Sequence, residues 1–140
     1  MSTALWLYYR AGKTASSNEE DLIALYRHAK QLDRICGRLS LTPLSAFHDL
    51  TDAKFNLGDE DLPDGMTSTV ELMVDRGSWH SVTEGRTVFF ELLEWLKANP
   101  TRFGLLGNDY NEVLGELKRC LESLEAQETD SCEFNLCVVQ

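Results

Sequence analysis

The side chains best suited to nucleophilic, acid–base or metal chemistry are three histidines and four cysteines. A thiolate nucleophile needs a base within hydrogen-bond reach, so His48 or His80 could partner Cys132 or Cys137. It also needs a positive setting that lowers the thiol pKa. The surroundings of both cysteines are acidic, and neither opens a helical pattern. No C-x₂-C or H-x₃-H spacing is present, so zinc ligation has no framework. Cys36 and Cys120 fall on apolar helical stripes, where cysteine acts as a small hydrophobe. The four cysteines are therefore expected to be structural thiols. The run DEDLPDG matches a calcium loop only in charge and lacks its ligand order. GLLGNDY lacks the Lys-Ser/Thr of a phosphate loop, and no G-x-S-x-G elbow occurs. The expectation is no metal, no cofactor and no catalytic set.

One short run keeps a claim on ligand chemistry. Trp79, His80 and Ser81 stand at the start of a strongly signalled helix. Free N–H groups at such a start can hold a small anion, with His80 as acid, base or ligand. The competing expectation is that Trp79 packs into the core and His80 flanks the cap.

The remaining candidates are carboxylates. The net charge is −10, which argues against nonspecific binding to nucleic acid or to an anionic membrane surface. Residues 49–64 hold six acids against Lys54, and residues 109–133 hold eight against Lys118 and Arg119. Asp59, Glu60, Asp61 and Asp64 are the centre of the first group. In the second, Glu112 and Glu116 are like charges at i,i+4, and Glu122 and Glu125 at i,i+3. Such pairs are unfavourable by a few tenths of a kcal/mol. A helix that tolerates them is a candidate surface for a basic partner.

Positioning these groups requires elements, and the pattern supplies them. Residues 4–10 alternate Leu5, Leu7, Tyr9 against Trp6, Tyr8, Arg10. Both sets are rather apolar, so this strand is expected to be covered on both sides and central. Residues 11–17 read as a polar loop. A long helix is expected over 18–39, capped by Ser17 or Asn18, with His28 on its solvated side. Thr42-Pro43 predicts a short helix over 43–50. The following TDAKFNLGDEDLPDG reads as a long surface loop. Residues 69–75 alternate Val70, Leu72, Val74 against Glu71, Met73, Asp75 and read as a half-buried strand. Ser81 and Glu84 form a capping box for a helix over 82–98, whose Val88, Phe89, Leu92, Trp95 and Leu96 make one apolar face. Gly85 in its first turn suggests a close approach, with Trp79 the candidate neighbour. Asp109 and Glu112 start a third helix over 109–126, and residues 132–139 alternate as a last strand.

The fold class is therefore α+β: one domain, with a small antiparallel or mixed sheet of about three strands packed by three long helices and one short one. The start MSTALWLYYR has no basic n-region followed by a long apolar stretch, and no span-length apolar run occurs, so a cytoplasmic location is expected. The chain reads more readily as a non-enzymatic binding module than as an enzyme. An immunity or inhibitor protein for a basic partner is one such case. The alternative is a small-molecule or anion site, binding or enzymatic, at Trp79–Ser81. A homodimer through the apolar strands or a helix face is also open.

Overall fold

A computed structural model describes residues 3–58, 60–128 and 130–140. The fold is α+β, built on a five-stranded sheet. Strand β1 (Ala4–Ala11) turns through Gly12 and Lys13 into β2 (Thr14–Ser17). Gly12 takes the left-handed backbone such a two-residue turn requires. Helices α1 (Ile23–Arg27) and α2 (Ala29–Arg38) follow, then a 3₁₀ turn over Leu44–Phe47. Next come β3 (His48–Asp49), α3 (Thr51–Leu57), α4 (Thr69–Arg76) and β4 (His80–Ser81). Helices α5 (Val82–Ala98) and α6 (Tyr110–Glu125) precede the last strand, β5 (Glu133–Val139).

The sheet runs β2-β1-β5-β3, and β4 also pairs with β5. All pairings are antiparallel except β3 with β5. The two short strands share one edge of β5: β4 lies opposite Glu133 and Phe134, β3 opposite Leu136 and Cys137. Strand β1 is paired on both sides and covered on both faces, as its two apolar sets require. Leu5 and Leu7 enter the main core with Phe134, Leu136 and Val138 from β5, under α1, α2, α5 and α6. Tyr8 and Cys137 point the other way, against Met73 of α4, with Trp6, Val70, Trp79 and Val139 packed around them.

Helix α5 is the spine of the main core. Ser81 caps it, its hydroxyl accepting from the Glu84 N–H at 3.3 Å. Val88, Phe89, Leu92 and Leu96 are buried along one side. Gly85 is required because a Cβ there would collide with the ring of Phe134. Phe134, not Trp79, is the close neighbour the glycine admits.

Six expectations are corrected. Residues 69–75 form a helix. Ser68 caps it through the Glu71 N–H, and Met73, which the alternating pattern placed on the polar side, is 1% exposed. Residues 11–17 are a hairpin turn plus a strand. The helix expected over 18–39 starts only at Ile23, because Glu19 adopts φ +57° and Leu22 exchanges backbone hydrogen bonds with Leu5. It also breaks at His28. That imidazole is not solvated: it hydrogen-bonds Asp109 at 2.7 Å and packs tilted against Phe103, ring centroids 5.5 Å apart. The single helix expected over 43–50 is a 3₁₀ turn followed by β3, and the supposed loop beyond it begins as α3.

Candidate functional site

Two clefts open on the side of the sheet covered by α3 and α4. The first, about 640 Å³, is lined by His48, Lys54, Phe55, Glu60, Arg76 and Ser78 among others. At its wall Asp49 is 2% exposed, yet its carboxylate is fully engaged. One oxygen accepts from the Thr51 N–H at 2.9 Å, starting α3, and the other from the Ser78 N–H at 2.8 Å. Ser78 is gripped from its other end by Asn135, whose amide donates to the Ser78 carbonyl at 3.0 Å. Gly77 fits only without a Cβ, which would stand 2.7 Å from the Asp49 carboxylate. Asp49 and Asn135 thus fix the crossover from α4 to β4. Burial lowers the His48 pKa below its ordinary value, with the Asp33 charge opposing. This cleft mixes both signs of charge.

The second cleft, about 480 Å³, is of one sign. Trp6 and Tyr8 from β1, with Val70 and Met73 from α4 and Val139 from β5, give it an apolar wall. Glu19, Asp21 and Asp52 line it as well. Asp21 accepts from the Trp6 indole N–H at 2.6 Å, and Asp52 accepts from the Thr69 hydroxyl at 2.6 Å. Among the described residues none of these three carboxylates forms an ion pair. Their charge is felt nearby: burial, then Cys137, Glu19 and Asp52, raise the pKa of Tyr8, which stays a neutral phenol. Aromatic faces beside uncompensated carboxylates are the chemistry that holds an organic cation, through ring quadrupole and charge together.

The residues singled out from sequence are placed as follows. Trp79 belongs to the α4 side: its indole N–H donates to the Met73 carbonyl at 2.9 Å, and the Arg10 guanidinium lies 4.9 Å over its ring. His80 points to the opposite side, edge-on to Phe47 at 5.2 Å, with Phe134 at 6.3 Å. Its Nε2 is buried without a hydrogen-bond partner, and it lines neither of the two clefts. Ser81 is exposed and its hydroxyl serves the α5 cap. The three consecutive side chains therefore diverge.

Of the acids, Asp59 lies outside the described residues. Glu60, Asp61, Asp64, Glu112, Glu122 and Glu125 are exposed. They do not form one patch, since α6 and the segment joining α3 to α4 lie on opposite sides of the sheet. Glu116 is not a surface residue at all. It is 7% exposed, and its carboxylate accepts from the N–H groups of Ala24 at 3.1 Å and Leu25 at 2.9 Å. It caps α1 from α6, in place of the Ser17 or Asn18 expected to do so. Burial nevertheless raises its pKa against those two bonds.

The cysteines are all free, and three are buried. Burial pushes the Cys36 thiol up to about 11 and Cys137 to about 12, and raises Cys120 and Cys132 as well. These are poor nucleophiles at neutral pH. Among the described residues no helix is long and apolar enough to cross a membrane.

Sequence reasoning missed Trp6, Tyr8, Glu19, Asp21 and Asp52 as a group. The signal available was the alternation in β1, which put Trp6 and Tyr8 on one face. What brings Glu19 and Asp21 there is the turn at residues 18–22, hidden by the expectation of an unbroken helix, and Asp52 comes from the first turn of α3. No family model, curated protein or solved structure matches this chain.

Proposed function

We propose that the protein is a non-enzymatic binding module for a basic partner, such as an immunity or inhibitor protein, and that the Trp6–Asp52 cleft receives a cationic side chain of that partner. The observation carrying this reading is the cleft's one-signed lining: Trp6 and Tyr8 beside Glu19, Asp21 and Asp52, with no cationic side chain among the described residues that line it. The net charge of −10 adds long-range steering toward a basic surface. Raised thiol pKa values and hydrogen-bonded site groups favour binding over turnover. The Trp79–Ser81 turn has less support as a small-molecule site, because its three side chains diverge and two of them already serve internal bonds.

Tetra-arginine and tetra-glutamate peptides, titrated at low and high salt, test the reading. Tetra-arginine binds, more weakly as salt rises, and tetra-glutamate does not. Glu19→Gln weakens tetra-arginine binding roughly two- to fivefold, the worth of an exposed ion pair. Equal binding of both peptides, or an unchanged Glu19→Gln variant, overturns the assignment to this cleft.

A further inference from the structure

On the other side of the sheet the loop joining α5 to α6 presents Leu105 and Leu106 at 95% and 104% exposure. This loop is tightly held. Phe103 anchors it at 0% exposure, and Asn108 accepts from the Phe103 N–H at 3.0 Å. The Arg102 guanidinium donates to the carbonyls of Gly104 and Leu105, at 3.1 and 3.2 Å. Gln31 of α2 donates to the Arg102 carbonyl at 2.8 Å, so the loop lies along that helix. Gly104, at φ +109°, permits the turn. Two large apolar side chains are thus held in water by a built prong.

The flank of the prong is basic. Arg27, Lys30, Arg34 and Arg38 recur at helical spacing along α1 and α2, and all are exposed. Arg27 pairs with Asp109. Among the described residues Lys30, Arg34, Arg38 and Arg102 have no carboxylate within ion-pair distance. Apolar tip and cationic flank are complementary to the apolar wall and acidic lining of the Trp6–Asp52 cleft.

We infer that the Leu105–Leu106 prong of one copy of this chain seats in the Trp6–Asp52 cleft of a second copy, with Arg102 and Lys30 meeting Glu19, Asp21 and Asp52. This rests on reading that cleft as a docking site for a basic group. Prong and cleft lie on opposite sides of the sheet, so a copy cannot satisfy itself. The contact is heterologous and propagates head to tail. A basic partner entering the cleft displaces the neighbouring copy.

Sedimentation equilibrium over a concentration series tests this. The wild-type weight-average mass rises past twice the monomer mass at low salt and falls back toward monomer at high salt. Leu105→Asp/Leu106→Asp, with an intact cleft, stays monomeric, and so does Glu19→Lys/Asp21→Lys, with an intact prong. Mixing the two variants leaves one usable interface and yields a heterodimer that grows no further. All substituted residues except Asp21 are exposed and without side-chain partners, and Leu105→Asp/Leu106→Asp mixed with Glu19→Lys alone checks that position. A wild-type chain that stays monomeric throughout, or a mixture that does, overturns self-docking. Binding of tetra-arginine by that monomer leaves the cleft reading intact. A heterodimer formed by a chain that ignores tetra-arginine upholds self-docking and removes the partner reading instead.

Discussion

The two sides of the sheet are built differently. Under α1, α2, α5 and α6 lies the main core, with Phe47, Phe89, Phe103 and Phe134 all at 0% exposure. Under α3 and α4 the buried apolar cluster is only Tyr8, Met73 and Cys137, and half-covered aromatics close the layer. The thick side holds the chain folded. The thin side leaves side chains with unfilled surface and carries the clefts of about 640 and 480 Å³. The large core and these two clefts are thus separated across one sheet, and substitutions on each side should report different quantities.

The sharpest test of the division is Phe134→Ala. It empties the centre of the thick core and should cost about 3–5 kcal/mol in chemical denaturation, where Met73→Ala on the thin side costs about 2–3. Equal losses would erase the distinction. Next is Glu116→Ala, which orphans two N–H groups at the start of α1 and should cost about 2–3 kcal/mol. If denaturation showed no loss, the α6 carboxylate would not be the cap. Gly85→Ala forces its methyl against the Phe134 ring and should cost about 1–3 kcal/mol, an overpacking effect confined to the thick side. Smallest is a pH effect at the short edge strand β3. His48 is held below its ordinary pKa of 6.5, so the unfolded chain takes up the proton first. Stability should therefore fall as pH drops below about 6.5, and His48→Gln should flatten that slope in thermal melts across the range.

The long elements of the thick side were legible in the sequence, and the thin side was not. The stripe on α5, the stripe on α6 and the alternation in β1 and β5 each specify one period over enough residues to exclude the other. On the thin side the elements are short. Val70, Leu72 and Val74 alternate like a strand, yet over eight residues Val70, Met73 and Gly77 also satisfy a helix. The deciding signal was present: Ser68 and Glu71 stand in the same spacing as Ser81 and Glu84. The region around residue 20 failed for a different reason. Its cap is Glu116, which no local window contains, and its strand-like bond partner is Leu5. Of the candidate residues, Trp79, His80 and Ser81 were adjacent only along the chain, because each successive position there faces a different layer. The cleft residues Trp6, Glu19 and Asp52 are assembled by tertiary contacts alone.

Strands β1 and β5 are neighbours at the middle of the sheet, and residues as distant as Arg10 and Glu133, 123 apart in sequence, are hydrogen-bonded across them. Among the described residues, strands β3 and β4 in turn pair only with β5. Until residues 133–139 emerge during synthesis, the sheet has nothing but the β1–β2 hairpin, a unit marginal in isolation. The helices over 82–98 and 110–125 can form early, but their apolar faces wait for a floor. The sheet is thus completed only after nearly all of these residues have been made, and its central pairing joins residues almost a full described chain apart, a topology that slows folding.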